Sequence, residues 1–538
     1  MRKSKYILIS NLILATGVLL SACSSSNKAE NKNQTLNWMT NAEIQTMDPS
    51  KMIDTTSSEQ AINTFEGLNR LGKDGKIEPG IATKSIQSKD GLTWTFQLRK
   101  NAKWSNGDPV TAKDFIYSLR RTLDPKTASQ QQMEWGNIVN ANDIVLGKKK
   151  PSYLGVEAKG NYKLVVHLTA PVPYFKSLTA SGWQPQNEKV VKKWGKKYGT
   201  SSKYMVYDGP FVQKGWTGSN LSWKLEKNKN YWDKDHVKLN HINFSVIKTP
   251  STDYNLYQAN KLDGALLDTQ GSKELKNQKG YHVFKLDRTE YLDFNIPKSK
   301  LFANINFRRA ISLAIDRAEL AKTTDAGNVP AINYAGPNET INGQNFVNFV
   351  AKHSDNEFSR HNRVLAKQLF NRALKQTGLE KATFTLLGDD DDNSKKVTEF
   401  VQSNLKDCFG DKISVSVQNL PKMSRIKRLK SGNYEACFSG MSSDYLDPNS
   451  MLSQLTSNAS YNDAHWKNKK FDQLIAESQK EKNLNKRLQV LTKAQEILNN
   501  EQGVIPLFYD GQAWMVRPDV KQLVFTGTYF DFKNTEIK

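Results

Sequence analysis

Seven histidines, three cysteines and 54 acidic residues are the material this 538-residue chain has for catalysis or metal binding, and their spacing excludes most of that chemistry. His167, His236, His241, His282, His353, His361 and His465 are scattered. They form neither an HExxH pair nor a Cys/His set at zinc spacing, so no metal centre is expected. The run Asp389 to Asp392, followed by Asn393, suggests calcium, but an EF-hand register starting at Asp389 puts Ser394 at the glycine position and Phe400 at the final glutamate. It reads instead as a solvated turn. Gly440-Met441-Ser442-Ser443 lacks the closing glycine of a nucleophile elbow, and no Walker loop or dinucleotide fingerprint occurs. The residues point to a binder with no cofactor, not to an enzyme.

One cysteine does carry a defined chemistry. Arg2, Lys3 and Lys5 precede a largely apolar run, Tyr6 to Leu20, which is too short for a comfortable span of ~20 residues and ends in Leu20-Ser21-Ala22-Cys23. That ending resembles a bacterial lipobox, whose thiol is lipidated after the signal is removed. The expectation is a signal peptide over 1–22, lipid attachment at Cys23 and a flexible polar tether over 23–34. The rest of the chain then lies on the outer face of the cell membrane. Cys408 and Cys437 could form a disulfide there, although two buried thiols are the commoner outcome.

Removing the signal leaves 74 basic against 54 acidic groups, a net charge of +20. Such a balance raises nucleic-acid binding. No zinc-finger spacing, RNP-like aromatic motif or long basic arm supports it, so no nucleic-acid partner is expected. Lys148-Lys149-Lys150, Lys192-Lys193 and Lys196-Lys197 read as solvated faces. Apart from Tyr6 in the signal, the 11 Trp, 19 Tyr and 23 Phe run from Trp38 to Phe532, which implies a chain folded nearly throughout.

Several elements can be placed by pattern. Thr35 to Thr40 reads as a strand, and Glu59 to Leu71 as a helix closed by Gly72. Leu92, Trp94, Phe96 and Leu98 alternate with polar residues as in a half-buried strand entered through Lys89-Asp90-Gly91, and Tyr162 to Leu168 alternates likewise. Thr111 with Asp114 makes a capping box. Ser222 to Glu226 and Ile242 to Ile247 read as strands. Phe307, Ala310, Ile311 and Ala314 stripe one helix, and Leu484, Leu488, Leu491, Ala494 and Leu498 another. Helix-to-strand alternation from about 360 to 440 predicts βαβ units with partly parallel pairing. The fold class is α/β with several sheets.

The stretch Asp90 to Phe115 (DGLTWTFQLRKNAKWSNGDPVTAKDF) closely resembles the signature of the family 5 bacterial extracellular solute-binding proteins. Further blocks follow in family order: Phe65-Glu66-Gly67-Leu68, Asp208-Gly209-Pro210-Phe211, Lys227-Asn228 with Tyr231-Trp232, Phe307-Arg308-Arg309-Ala310 and Val504-Ile505-Pro506-Leu507. The resemblance covers roughly residues 35 to 538 and is strongest to the oligopeptide-binding members of ABC transporters. It implies a two-lobed periplasmic-binding-protein-like (type II) fold with a hinge and an extra domain in the first lobe. Lobe I would take 35–77, 190–275 and 506–538, with the extra domain at 78–189; lobe II would take 276–505. The implied partners are an oligopeptide and a membrane permease, with the protein acting as a monomer. The same fold could serve a signalling-peptide receptor or a binder of another small solute such as nickel.

A receptor for many peptides must grip the main chain and the terminal charges, which strand addition provides. By the resemblance, Asp444 corresponds to the acidic residue that pairs with the peptide's α-amino group. Gly440, Met441 and Ser442 correspond to its strand partners, and Asp54-Thr55-Thr56 to a loop approaching from the first lobe. Phe438 stands where some members carry an arginine, and Gln130-Gln131-Gln132-Met133 replaces an aromatic-containing stretch, so the hold on the peptide carboxylate does not carry over.

Overall fold

The computed structural model describes residues 34–538 apart from Ile53, Gln130, Asp325 and Ala326. The signal, Cys23 and nearly all of the tether lie outside the described residues.

Two four-stranded sheets are built from the alternating segments. In the first, Thr35–Thr40 runs parallel to His241–Val246, which is followed by the antiparallel strands Ser222–Lys227 and Phe211–Lys214. In the second, Ala82–Gln87, Thr93–Leu98, Lys163–His167 and Val156–Ala158 are antiparallel in that order. The helix Ala112–Leu123 begins where the capping box predicts: the Asp114 carboxylate accepts from the Thr111 amide at 2.8 Å. Both sheets feed one continuous core containing Trp38, Phe96, Phe115, Trp183 and Phe244.

A third sheet of seven strands carries the rest. Its order is Gly264–Leu266, Ile505–Val516, Tyr281–Phe294, Ala436–Ser442, Ala382–Asp389 and Ile413–Leu420, with Val329–Pro330 beside Ile505–Val516. Ala382–Asp389 is parallel to both Ile413–Leu420 and the start of Ala436–Ser442, as the predicted βαβ alternation requires. Helices Ile305–Ala314, Arg363–Thr377 and Asp392–Phe409 cover it around a core of phenylalanines 294, 302, 307, 370 and 384. A further core forms around the helices Lys469–Lys480 and Leu484–Glu501.

Two strands belong to more than one of these bodies. Tyr281–Phe294 has 14 residues, roughly 45 Å of extended chain. Phe284 near its start packs on the first core, and Leu292 and Phe294 at its end lie in the second. Ile505–Val516 runs back beside it, with Ile505 and Leu507 in the second core and Trp514 in the first. Their pairing loses register between Lys285 and Thr289. These two strands join the lobes of a two-lobed α/β fold.

The structure corrects two expectations. The helix read over Glu59 to Leu71 is Thr55–Thr64, and Asn69–Leu71 is a strand paired with Ile77–Pro79. The chain leaves the helix at Phe65 so that Arg70 can meet Asp531 (Nη2 to Oδ1, 2.6 Å) and Glu66 (2.9 Å), both buried. Tyr231 donates to the same Glu66 carboxylate at 2.9 Å, and Asp208 accepts from the Glu66 amide at 3.2 Å. Three of the sequence blocks thus meet in one structural network that no helical period could reveal. Second, the acidic run is not a free turn. Asp389 ends a strand and pairs with Arg425 at 2.6 Å, while Asp391 caps Asp392–Phe409 by accepting from the Ser394 amide at 3.0 Å.

Cys408 and Cys437 are free buried thiols. Among the described residues no group of histidines, cysteines and carboxylates could hold a metal, and no helix is long and apolar enough to cross a membrane.

Candidate functional site

Thr55 and Thr56 lie more than 380 positions before Ser442 in the sequence, and the three line one cavity of about 260 Å³, just below the range of roughly 300–1,000 Å³ for small-ligand sites. Asp287 and Arg288 of the joining strand border it, as do Trp38 and Trp514, stacked at 5.3 Å and 7°. The cavity therefore sits where the two lobes meet.

On the first-lobe side, Asp54 is the cap of Thr55–Thr64, its carboxylate accepting from the Ser57 amide at 2.8 Å. That bond fixes the loop. Thr55 is left exposed at the wall of the cavity, while Thr56 is buried with its hydroxyl 3.3 Å from that of Thr40. Gln131 donates to the carbonyl of Met52 at 2.6 Å and ties the same loop from behind.

On the second-lobe side, Ala436–Ser442 pairs along one edge with Tyr281–Phe294 from Ala436 to Ser442. Its other edge meets Ala382–Asp389 at only Ala436 and Cys437. From Phe438 to Ser442 that edge has no strand partner among the described residues; Phe438 and Ser439 are buried, and the edge opens from Gly440 to Ser442, where it can template an added strand. Gly440 lies opposite Glu290, and the Arg288–Glu290 ion pair (2.5 Å) lies directly over its Cα. A Cβ there would run into the ends of both charged side chains, so a larger residue would displace the ion pair. Phe438 is buried in the second core, 6.3 Å from Phe508. It cannot present a charge to a ligand.

Asp444 follows two residues beyond the strand, its amide donating to Ser450 Oγ at 2.8 Å. Its carboxylate receives no hydrogen bond from any described residue. The side chain remains open to water, yet the protein crowding around it desolvates the carboxyl and pushes its pKa up. An ammonium group arriving there would find an acceptor with no competitor. Gly440, Met441 and Asp444 do not line the cavity itself, and neither does Asp54.

Three charged groups at the cavity have no sequence signal. Glu59, in the second turn of the capped helix, is raised to about 7 by burial, against the Phe530 amide that donates to it at 2.9 Å. Asp287 is raised to about 6 by burial, with the Asn338 amide and the Ser443 hydroxyl opposing. Arg288 is held by Glu290 and Asp510. Their neighbours come from distant segments, which only the fold brings together.

The family described as bacterial extracellular solute-binding proteins, family 5, matches residues 76–463. A dipeptide-binding protein of Lactococcus lactis is 33% identical over the full length of both chains. The structure of Listeria monocytogenes OppA bound to peptide is 34% identical, covers 94% of this chain and 99% of its own, and superposes with a TM-score of 0.72. The unliganded open form of the murein tripeptide-binding protein MppA is only 27% identical over 94% and 98%, yet scores 0.81. The chain belongs to the family 5 extracellular solute-binding proteins, with the type II two-lobed fold.

Proposed function

We propose that this member of the family is a lipid-anchored receptor that captures oligopeptides outside the cytoplasm and delivers them to the permease of an ABC transporter, without covalent chemistry. The observation that carries the reading is the unpaired strand edge Phe438–Ser442 leading to the unpaired carboxylate of Asp444. An extended peptide adds to that edge, its α-ammonium meets Asp444, and Thr55 and Thr56 close on it from the other lobe. Peptide side chains then fall alternately toward and away from the cavity. Relatives named for dipeptide and oligopeptide binding support the class of ligand.

In this reading lobe I comprises 35–77, 190–275 and 506–538 with the extra domain at 78–189, and lobe II comprises 276–505. The hinge lies where the chain crosses between the lobes, near 270–280 and near 500–506, and the register break between Lys285 and Thr289 in the strand that follows supports bending in this region. Cys23 carries the lipid, and the segment 24–33 sets the reach of a monomeric receptor near its permease, at raised effective concentration.

Calorimetry with a tryptic digest of casein tests the function, together with native mass spectrometry of the purified protein. Saturable binding and co-purified peptides are expected. A protein that carries no peptide and is neither titrated nor thermally stabilised by the digest would overturn the reading.

A further inference from the structure

Away from the cavity, a ring contact joins the two lobes. Tyr174, at the start of the helix Phe175–Ser181 and beside the second sheet, stacks on Tyr445 with ring centroids 4.7 Å apart and planes 9° apart. Tyr445 is the residue after Asp444, and its ring packs on the core of the first lobe, not of its own. Beneath the stack, Asp447 and Arg487 form a doubly bonded pair at 2.6 and 2.7 Å, and the Arg487 guanidinium lies 5.8 Å from the Tyr174 ring centre. Asn449 donates to the Tyr445 hydroxyl at 3.2 Å. A second contact joins the same two bodies: Lys482 donates to the Lys89 carbonyl at 2.6 Å, beside Gly91. Gly91 has φ +79°, which the turn needs, and a side chain there would also press on Lys482.

We infer that Tyr174 is a positioning residue for ligand capture: its stack on Tyr445 is a fixed pivot that persists in the open protein, holds Asp444 in its binding orientation, and lets the lobes turn about it. The inference rests on the peptide reading given above. Asp444 has no side-chain bond of its own to orient it, so its direction is set by the backbone on either side. One side is tied by the Ser450 hydroxyl to the Asp444 amide. The other is tied by Tyr445, whose ring stacks on a tyrosine from the opposite body and whose hydroxyl accepts from Asn449. A residue that touches no ligand thereby prepares the one that does, and the first lobe contributes to the second lobe's anchor before any peptide arrives.

The test compares wild type with Tyr174→Leu and Tyr174→Phe, using the casein digest and the same digest acetylated at its amino groups. Wild type is expected to prefer the free-amino digest. Tyr174→Leu should lose roughly tenfold in affinity for that digest and little for the acetylated one, so that the preference collapses. Tyr174→Phe, which keeps the stack, should restore it. General loosening of the fold would weaken both digests alike, and an unchanged preference in Tyr174→Leu would overturn the inference while leaving the peptide reading intact. Wild type that binds neither digest would overturn both. Hydrogen exchange of the intact wild type gives an independent reading should the leucine variant not fold. Amides of residues 443–447 should be protected in the empty protein and change little when digest is added. Exchange that is fast when empty and suppressed by digest would mean that the contact forms on closure, and the pivot would be wrong.

Discussion

Asp444 and Asp447 are three residues apart in one segment, and the protein treats them in opposite ways. Asp447 is buried with both oxygens bonded to Arg487, whose side chain is 1% exposed. Asp444 is open to water with neither oxygen bonded to a described residue. A carboxylate that serves the fold is satisfied inside it; under the proposed reading, Asp444 is left with its bonding capacity unspent for a ligand. The Glu66–Arg70–Asp531 network repeats the first case on the other lobe.

The contrast breaks most severely if Arg487 is removed. Arg487→Met should cost about 3–5 kcal/mol in urea unfolding, because Asp447 is then buried without a counter-charge. A loss below about 1 kcal/mol would mean that the pair is dispensable to the fold. Asp444→Ala should do the reverse. It should leave unfolding within about 0.5 kcal/mol of wild type yet weaken peptide binding about a hundredfold in calorimetry. Retained affinity would place the ammonium anchor elsewhere, and Glu59 at the cavity wall would be the next candidate.

A smaller effect sharpens the comparison through pH. Burial raises Glu59 from 4.5 to about 7. The folded protein therefore holds this proton more tightly than the unfolded chain, so the group's contribution is complete below about pH 4.5 and is lost as pH rises through 7. Glu59→Gln should remove that loss and stabilise the empty protein at pH 8 by about 1–2 kcal/mol, allowing for the side chain's partial contact with water. At pH 4.5 the two proteins should unfold alike. Equal pH profiles would mean that Glu59 is solvated in the empty cleft. Smallest of all, Asp444→Asn should shift the unfolding midpoint by about a degree or less, since no bond within the protein is lost.

Local order was legible from sequence wherever a side-chain period decides it. Thr35–Thr40, Thr93–Leu98 and the leucine stripe of Leu484–Glu501 emerge where alternation or helical spacing places them. The end of the helix at Thr64 was not legible, because it is set by a buried arginine meeting an aspartate 461 residues away. The capping role of Asp391 was masked by its acidic neighbours. The site divides in the same manner. Asp444 stood out only through family resemblance, since a lone aspartate before an Asp-Pro turn carries no local signal. Thr55, Thr56 and Ser442 were singled out in the same way, and the structure brings them to one cavity. Glu59, Asp287 and the Trp38–Trp514 floor escaped, because their chemistry arises from desolvation and from neighbours supplied by distant strands.

The two thiols bear on how the protein could be used as well as how it works. Cys408 and Cys437 are buried, and burial pushes the Cys437 thiol to about 11, so both are poor nucleophiles at neutral pH. Ser442, by contrast, is exposed at the cleft. A cysteine introduced there in a signal-free chain lacking Cys23 would be the reactive thiol among the described residues. A fluorophore attached to it would sense a ligand entering the cavity, under the proposed reading, as a change in brightness, which makes the protein a scaffold for a reagentless optical sensor.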